Sequence, residues 1–201
     1  TNNANYAWIL HILNKLNVSR GIAGFLLANG ALDDSDTLEI RKLLIESDKV
    51  EAIIVLPRNM FYSTDISVTL WILNNNKKGG PWHGRQLRNR TGEILFIDLR
   101  TWNSNIYEKK YVRLTEADID RVRQIYFNWQ TENFVEYAEP ELYYAAHRDE
   151  IQGKGYSLVP SRYIEFIDRD TEIDYQSALS EMSDKFNALK KRWDANETEL
   201  V

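Results

Sequence analysis

Two adjacent aromatic residues, Phe61 and Tyr62, are the side chains of this sequence best placed to hold a planar ligand. They lie in the stretch 56–66, between two runs of β-branched and large apolar residues at 50–56 and 66–73. Each run has the length and composition of a strand. Rings on a loop between strands are suited to stacking on a base, and a second interpretation is that Phe61 fills space between the loop and the core.

A cluster of basic residues follows the second of these runs. No acidic residue lies among them, although the whole chain has a formal net charge of -5. The cluster consists of Lys77, Lys78, Arg85, Arg88 and Arg90. Local positive charge beside Trp82 is typical of phosphate contact combined with stacking. One hypothesis is therefore that this loop contacts DNA, and the other is that it is a solubilising surface loop.

The common catalytic motifs are absent from the sequence. It has no Gly-x-Gly-x-x-Gly, no phosphate-binding loop with Gly-Lys-Ser/Thr and no His-Glu-x-x-His. His11, His83 and His147 lie far apart without the spacing of metal ligands, and there is no cysteine. We therefore predict no catalytic residue and no metal ligand in this chain. The lack of cysteine also favours a cytoplasmic protein.

The composition allows a substantial core. The chain has 201 residues, of which 43% are hydrophobic, which is enough for one or two domains. No apolar run approaches the roughly 20 residues that a membrane-spanning helix needs, so no membrane contact is predicted. The chain starts with Thr1 instead of methionine, which predicts that it begins inside a longer protein.

Apolar runs predict four strands. The continuous run 21–28 is typical of a parallel strand in the interior of a sheet, buried on both faces. The connection 57–65 is too short for a crossover helix, so strand 66–73 is predicted to run antiparallel to strand 50–56. A further strand is predicted at 93–99 after a polar loop.

Helical spacing predicts several helices. One covers 6–16 with Asn5 as its cap, and another extends from the cap Asp36 to about residue 47. A third helix begins at Thr115, which with Asp118 resembles a capping box. Pro140 is predicted to open a short helix.

The last thirty residues predict one long helix, 172–201. Its large apolar side chains alternate steps of four and three, which keeps one seam facing a partner helix. The seam consists of Tyr175, Leu179, Met182, Phe186, Leu189 and Trp193. Such a helix either folds back on this chain or joins a bundle with another, and we favour the bundle because it uses the full length of the seam.

Several segments, taken in order, resemble the methyltransferase subunit of type I restriction-modification systems. They are 3–13, 24–30, 40–45, 50–57, Phe61-Tyr62, 70–73, 93–100 and 150–163. The ordered set covers nearly the whole chain. The resemblance implies an adenine-N6 DNA methyltransferase that uses S-adenosylmethionine and works with a specificity subunit and a second methyltransferase subunit, with the restriction subunit as a further partner.

The same resemblance implies an α/β fold. We expect the C-terminal half of a Rossmann-like methyltransferase sheet whose last strand is antiparallel, so that 66–73 lies between 21–28 and 50–56. A helical region and a long C-terminal helix follow. The resemblance places Phe61, with Tyr62, on the wall of the pocket that holds the extruded adenine.

Two motifs of this family do not occur in the sequence. The catalytic Asn-Pro-Pro-aromatic motif and the glycine-containing cofactor motif come earlier in such chains. We therefore expect this chain alone to bind no cofactor and to transfer no methyl group. Without its flanking strand, 21–28 would form an apolar edge, which we expect to pair with the missing half or with a neighbouring molecule.

We predict three regions along the chain. Residues 1–112 form the C-terminal part of the catalytic domain, 113–171 a helical and irregular extension, and 172–201 a coiled-coil-like assembly helix that packs with helices of the specificity subunit. The alternative is a non-enzymatic interaction module whose sheet only carries the coiled-coil tail. Deleting 172–201 separates them, because it removes assembly in the first case and the only function in the second.

Overall fold

The computed structural model describes residues 3–107, 110–168 and 175–199. They belong to two compact units, Thr1–Phe166 and Ile167–Val201. In these described ranges, no helix has both the length and the apolar character required to cross a membrane.

The first unit is built on a mixed sheet of six strands in the order β1-β3-β2-β6-β10-β9, and the other four strands form two small hairpins, β4 with β5 and β7 with β8. The strands are β1 Ile22–Ala28, β2 Val50–Val55, β3 Val68–Asn74, β4 Gly80–Trp82, β5 Arg85–Leu87, β6 Glu93–Asp98, β7 Ile106–Tyr107, β8 Tyr111–Val112, β9 Ala138–Glu139 and β10 Tyr143–His147.

Helices cover both faces of the sheet. They are α1 Ala4–Lys15, α2 Leu38–Glu46, α3 Glu116–Thr131 and α4 Arg148–Gly153. One core layer contains residues of α1, α2 and α4, and the other contains Ile125 and Trp129 of α3. Along β2, Ile53 and Val55 belong to the first layer and Ile54 to the second, because successive side chains of a strand point to opposite faces.

The reversed strand is found where the sequence predicts it. β3 lies between β1 and β2 and pairs antiparallel with both, so that Trp71 is opposite Phe25 on one side and Ile53 on the other. β2 pairs parallel with β6. The arrangement of 66–73 between 21–28 and 50–56 is therefore confirmed.

The prediction of a parallel, interior strand at 21–28 is wrong. β1 forms the edge of the sheet, its only strand partner among the described residues is β3, and that pairing is antiparallel. Phe25 and Leu27 pack against the first core layer, while Ile22 and Leu26 on the opposite face are each 46% exposed. The sequence shows that both faces of this strand are apolar. It does not show whether other elements of the fold cover both faces, and for this reason the prediction failed.

Three predicted helix starts are also corrected. Asn3, not Asn5, caps α1, and its side chain accepts hydrogen bonds from the backbone N–H groups of Asn5 and Tyr6. Asp34 caps a short 3-10 turn, after which α2 begins at Leu38 instead of following Asp36. Pro140 opens no helix, because it lies in the turn between β9 and β10.

The capping box at the start of α3 is confirmed. The Thr115 hydroxyl accepts from the Asp118 N–H, and the Asp118 carboxylate accepts from the Thr115 N–H at 2.7 Å. The carboxylate accepts from the Thr115 N–H and also from the Thr115 hydroxyl, and these two hydrogen bonds, the backbone one first, hold the pKa of Asp118 below its usual range. Both signals are local, so the sequence contains all the information needed for this helix start.

The predicted boundary at residue 112 does not separate two compact units. α3 packs on the second core layer and β10 pairs with β6, with Tyr143 opposite Ile97. Residues of the predicted 113–171 extension therefore complete the same sheet and core as 1–112. The antiparallel β3 is also not the last strand of the sheet, since β6, β9 and β10 follow it along the chain.

The second unit contains helix α5, Tyr175–Glu199, within the predicted 172–201. At 1.5 Å per residue its 25 residues span about 37 Å. Most of the predicted seam is exposed, with solvent reaching 62% to 73% of Leu179, Met182, Phe186, Leu189 and Trp193. The side chain of Tyr175 and the ends of the predicted helix lie outside the described residues.

Candidate functional site

The loop between β2 and β3 carries Phe61 at the carboxyl end of β2. Phe61 forms an isolated antiparallel bridge with Thr64, so the loop folds back on itself. An ion pair of 2.8 Å between Arg58 Nη2 and Asp65 Oδ2 closes its base. Phe61 is half-buried and Tyr62 is 70% exposed, so the ring of Phe61 is not sealed inside the core.

A network of polar side chains holds together the two ends of this loop, at Leu56 and Ser67. The Asn29 side chain, directly after β1, donates to Ser67 Oγ at 3.2 Å and accepts from Thr69 Oγ1 at 2.6 Å. Ser67 Oγ in turn donates to the Leu56 carbonyl at 2.6 Å. These hydrogen bonds join the carboxyl ends of β1 and β2 to the amino end of β3.

The β7–β8 hairpin lies against the same loop. The Val112 N–H donates to the Asn59 carbonyl at 2.9 Å, and the rings of Tyr62 and Tyr111 meet edge to face with centroids 4.6 Å apart. Lys110 Nζ lies 5.0 Å from the centre of the Tyr111 ring. The prediction missed this hairpin, for which the only signal was the pair Tyr107 and Tyr111 on either side of three charged residues in the sequence.

The loop and the hairpin together line a solvent-open groove of about 310 Å³. Its lining includes Phe61, Tyr62, Thr64, Asp65, Lys110 and Tyr111. The aromatic faces suit a planar ring and the lysine suits an anion. The groove therefore places aromatic rings beside a cation, and none of its described lining residues forms a pair of nucleophile and base.

The five basic residues of the predicted phosphate-binding loop do not form one exposed surface. Lys77 is buried, and its ammonium group lies 2.8 Å from Asp48 Oδ1 and donates to the Val50 and Glu93 carbonyls. Burial lowers the pKa of Lys77 and the charge of Asp48 opposes that shift. Arg90 is fully buried, 3.3 Å from Glu51.

Arg88 and Arg85 also contact other residues of this chain. Arg88 makes two hydrogen bonds of 2.8 and 2.7 Å to the carboxylate of Glu93, and its Nε donates to the Trp129 carbonyl. The Arg85 guanidinium lies 3.9 Å from the centre of the Phe127 ring. Only Lys78 of the five is exposed. Lys77, Arg88 and Arg90 thus each pair with a carboxylate of this chain, which disfavours phosphate contact by these three residues in this arrangement.

The basic loop is also distant from Phe61. Lys77 contacts Val50 at the amino end of β2, whereas Phe61 follows its carboxyl end. A strand rises about 3.3 Å per residue, so the six residues of β2 separate the two places by about 20 Å. The structure thus does not bring together the two site clusters that the sequence suggests.

Comparison with known proteins identifies the family. The family model for N-6 DNA methylase matches residues 1–172. The chain belongs to this family.

Two curated relatives agree. The chain is 32% identical to the type I restriction enzyme HindI methylase subunit of Haemophilus influenzae over 98% of its length, and 32% identical to the MjaIX methylase subunit of Methanocaldococcus jannaschii over 97%. It spans only 41% and 33% of those relatives. A type I methyltransferase subunit from Streptococcus thermophilus has the same fold, with a TM-score of 0.65 and 24% identity over 82% of this chain and 31% of that one.

The described residues show no glycine turn of the kind that would hold S-adenosylmethionine, the cofactor that the N-6 DNA methylase family implies. In α/β folds cofactors bind beyond the carboxyl ends of strands, commonly at a glycine turn. No glycine with left-handed backbone directly follows β1, β2 or β6. The carboxylate of Asp98, at the end of β6, is held by Arg100 at 2.5 Å. The described ranges also contain no group of three or more His, Cys, Asp or Glu side chains placed to hold a metal.

The hydrogen bonds of Asn29 lead to a prediction about the stability of the loop ends. In Asn29→Ala the buried hydroxyl of Thr69 loses its acceptor, which should lower the free energy of unfolding by about 1–3 kcal/mol. Urea denaturation measures the change, and hydrogen exchange of the 56–67 amides should accelerate. Ser104→Ala, at an exposed position, is the control. Equal stability of the two variants would contradict the anchoring role.

The Arg88–Glu93 pair makes a prediction about pH. Burial raises the pKa of Glu93, but the hydrogen bonds and charge of Arg88 outweigh it, so the pKa lies below the ordinary value. A carboxylate with a lowered pKa stabilises the fold fully above its unfolded value of about 4.3, and this contribution is lost as the pH falls through the folded value.

Glu93→Gln should therefore cost about 2 kcal/mol of unfolding free energy at neutral pH. Its stability should also fall less steeply than that of the wild type between about pH 5 and about pH 3. Urea titrations across this range measure both effects, with exposed Glu39→Gln as the control. Parallel pH curves for Glu93→Gln and the wild type would show that the pair is not the source of acid sensitivity.

Proposed function

We propose that the complete protein is an adenine-N6 DNA methyltransferase subunit of a type I restriction-modification system, with S-adenosylmethionine as its methyl donor. Membership of the N-6 DNA methylase family and the names of the curated relatives support this. Because the chain spans 41% and 33% of those relatives, we assign the cofactor site and the catalytic motif to the remaining part of the protein.

In this proposal residues 1–166 provide the C-terminal half of the catalytic sheet. The open edge of β1 supports it, because the apolar side chains Ile22 and Leu26 are each 46% exposed beside unpaired backbone. Such an edge is a site for pairing with another strand. We propose that a strand from the preceding half of the enzyme pairs with β1.

The observation that carries the proposal is the position of Phe61. Its ring is half-buried, lines an open groove and lies on a closed loop at the carboxyl end of β2. A methyltransferase has to extract its adenine from the duplex and hold it by stacking and by edge hydrogen bonds. We propose that Phe61, with Tyr62, supplies the stacking surface and that the hydrogen-bonding group comes from the other half.

The exposed seam of α5 supports assembly with other subunits. Leu179, Met182, Phe186, Leu189 and Trp193 are apolar and lie at heptad spacing along about 37 Å of helix. We propose that this seam packs with helices of the specificity subunit, in a complex that also contains a second methyltransferase subunit and binds the restriction subunit. The seam equally supports the alternative function, a non-enzymatic interaction module.

Methyl transfer separates these functions. The complete enzyme should incorporate radiolabelled methyl groups into unmodified DNA, and this chain alone should incorporate none. Phe61→Ala should lower kcat/KM of the complete enzyme by about 5-fold to 150-fold, the range that corresponds to about 1–3 kcal/mol of lost stacking. Phe61→Tyr, which keeps the ring, should retain most activity.

Phe166→Ala is the matched control, because Phe166 is 54% exposed but lies outside the groove. Unchanged kcat/KM in Phe61→Ala would remove the stacking role. Absence of methyl transfer by the wild-type complete enzyme would favour the interaction module, and methyl transfer by this chain alone would contradict the assignment of the cofactor site to the other half.

Assembly makes a separate prediction. A lysine in place of Phe186 puts a charge into the seam, so Phe186→Lys should weaken binding to the specificity subunit by at least 10-fold. Co-purification and sedimentation velocity measure the complex. Asp184→Lys, on the opposite side of the helix, is the control, since it changes the charge without touching the seam. Equal loss of binding in both variants would indicate a general charge effect instead of seam packing.

A further inference from the structure

We propose that the β7–β8 hairpin is a DNA-contacting element of the base site, in which Lys110 contacts the phosphate beside the extruded base and Tyr111 holds Tyr62 in position. This inference rests on the proposed function and adds two residues to it. The resemblance concerns Phe61 and Tyr62 only, and the sequence-based prediction put phosphate contacts in the basic loop 77–90.

The first argument is that hydrogen bonds attach the hairpin to the loop that carries Phe61. The Val112 N–H donates to the Asn59 carbonyl at 2.9 Å, and Val112 is only 6% exposed. At the same base of the hairpin, the Arg113 N–H donates to the Asn105 carbonyl, and the Asn105 side chain donates to the Arg113 carbonyl. Two strands of the hairpin are thus fixed to each other and to the Phe61 loop.

The second argument concerns Tyr62. Its ring is 70% exposed, yet it meets the ring of Tyr111 edge to face at 4.6 Å, which is a favoured geometry for aromatic pairs. Rotation of Tyr62 about its side-chain bonds would break this contact. Tyr111 is therefore a positioning residue that orients one aromatic wall of the groove.

The third argument concerns charge. Among the described residues that line the groove, Lys110 is the one basic residue, and it is exposed. Its Nζ lies 5.0 Å from the Tyr111 ring centre, within the range of a cation–π contact, so the ring holds the cation at the rim. The one acidic residue in the described lining, Asp65, forms an ion pair with Arg58 at 2.8 Å. The described lining thus offers a phosphate a cation without an unpaired carboxylate.

The fourth argument is by comparison with the basic loop. Lys77, Arg88 and Arg90 pair with carboxylates at the amino end of β2, about 20 Å from the carboxyl end that precedes Phe61. Adjacent phosphates of one strand are closer together than this. A cation that acts on the same nucleotide as Phe61 has to come from the carboxyl end, where Lys110 lies.

Salt dependence of DNA binding tests the role of Lys110. The complete methyltransferase is titrated with a mixed-sequence DNA duplex at several salt concentrations. Lys110→Ser should reduce the slope of log K against log salt by about 0.9, the value for one phosphate contact. Lys78→Ser is the matched control, since Lys78 is the exposed lysine of the basic loop. A slope altered by Lys78→Ser and not by Lys110→Ser would overturn the assignment.

Base extrusion tests the role of Tyr111. The probe is a duplex with 2-aminopurine in place of the target adenine, whose fluorescence rises when the base leaves the stack. Tyr111→Ala should lower this rise and raise KM for DNA more than it lowers kcat, whereas Tyr111→Phe, which keeps the ring, should behave as the wild type. Thermal denaturation of both variants checks that the fold is intact.

The two hypotheses fail in different ways. A wild-type complete enzyme that transfers no methyl group contradicts the proposed function. An active wild type whose fluorescence rise and KM are unchanged in Tyr111→Ala, and whose salt slope is unchanged in Lys110→Ser, contradicts the role of the hairpin alone.

Discussion

The short connection between β2 and β3 is the constraint on which the rest of the structure depends. The segment between Val55 and Val68 folds into a closed loop without a crossover helix, and β3 returns antiparallel beside β2. β1 then pairs with the free side of β3 and runs in the same direction as β2. Because of this reversal, the carboxyl ends of β1 and β2 lie at the same end of the sheet. Asn29 anchors the loop that carries Phe61 at that end. The position of the candidate base site is therefore a consequence of this strand reversal.

The two ends of the sheet differ in how they use charge. At the amino end of β2, buried or half-buried cations pair with carboxylates, in the pairs Lys77–Asp48, Arg88–Glu93 and Arg90–Glu51. Removing a charge from water is costly, and such groups persist inside a protein only with close partners. At the carboxyl end, Lys110 lies at the rim of an open groove. A basic cluster in the sequence is thus no measure of surface charge, because its partners are distant in the chain.

The predictable parts of this molecule are those fixed by neighbouring residues. The capping box of Thr115 and Asp118 and the loop position of Phe61 follow from local patterns, as does the direction of β3. β1 and β2 have similar apolar runs, but only β2 is covered on both faces, which depends on elements far away in the sequence. The contact of Tyr62 with Tyr111 likewise joins residues that are far apart in the sequence. Residues that meet across the fold leave no periodic signal, so the second wall of the groove could not be predicted.

The open edge of β1 connects stability with the proposed activity. The 1–166 unit buries two core layers, so most of its sheet is covered within this chain, and the uncovered apolar side chains of the sheet include Ile22 and Leu26 on β1. Unpaired backbone beside an apolar face favours pairing with another strand. Under the proposed function that strand belongs to the half that binds the cofactor, so the contact that protects the edge also brings the methyl donor to the side of the sheet where Phe61 lies. Completion of the sheet and completion of the active site are then the same event.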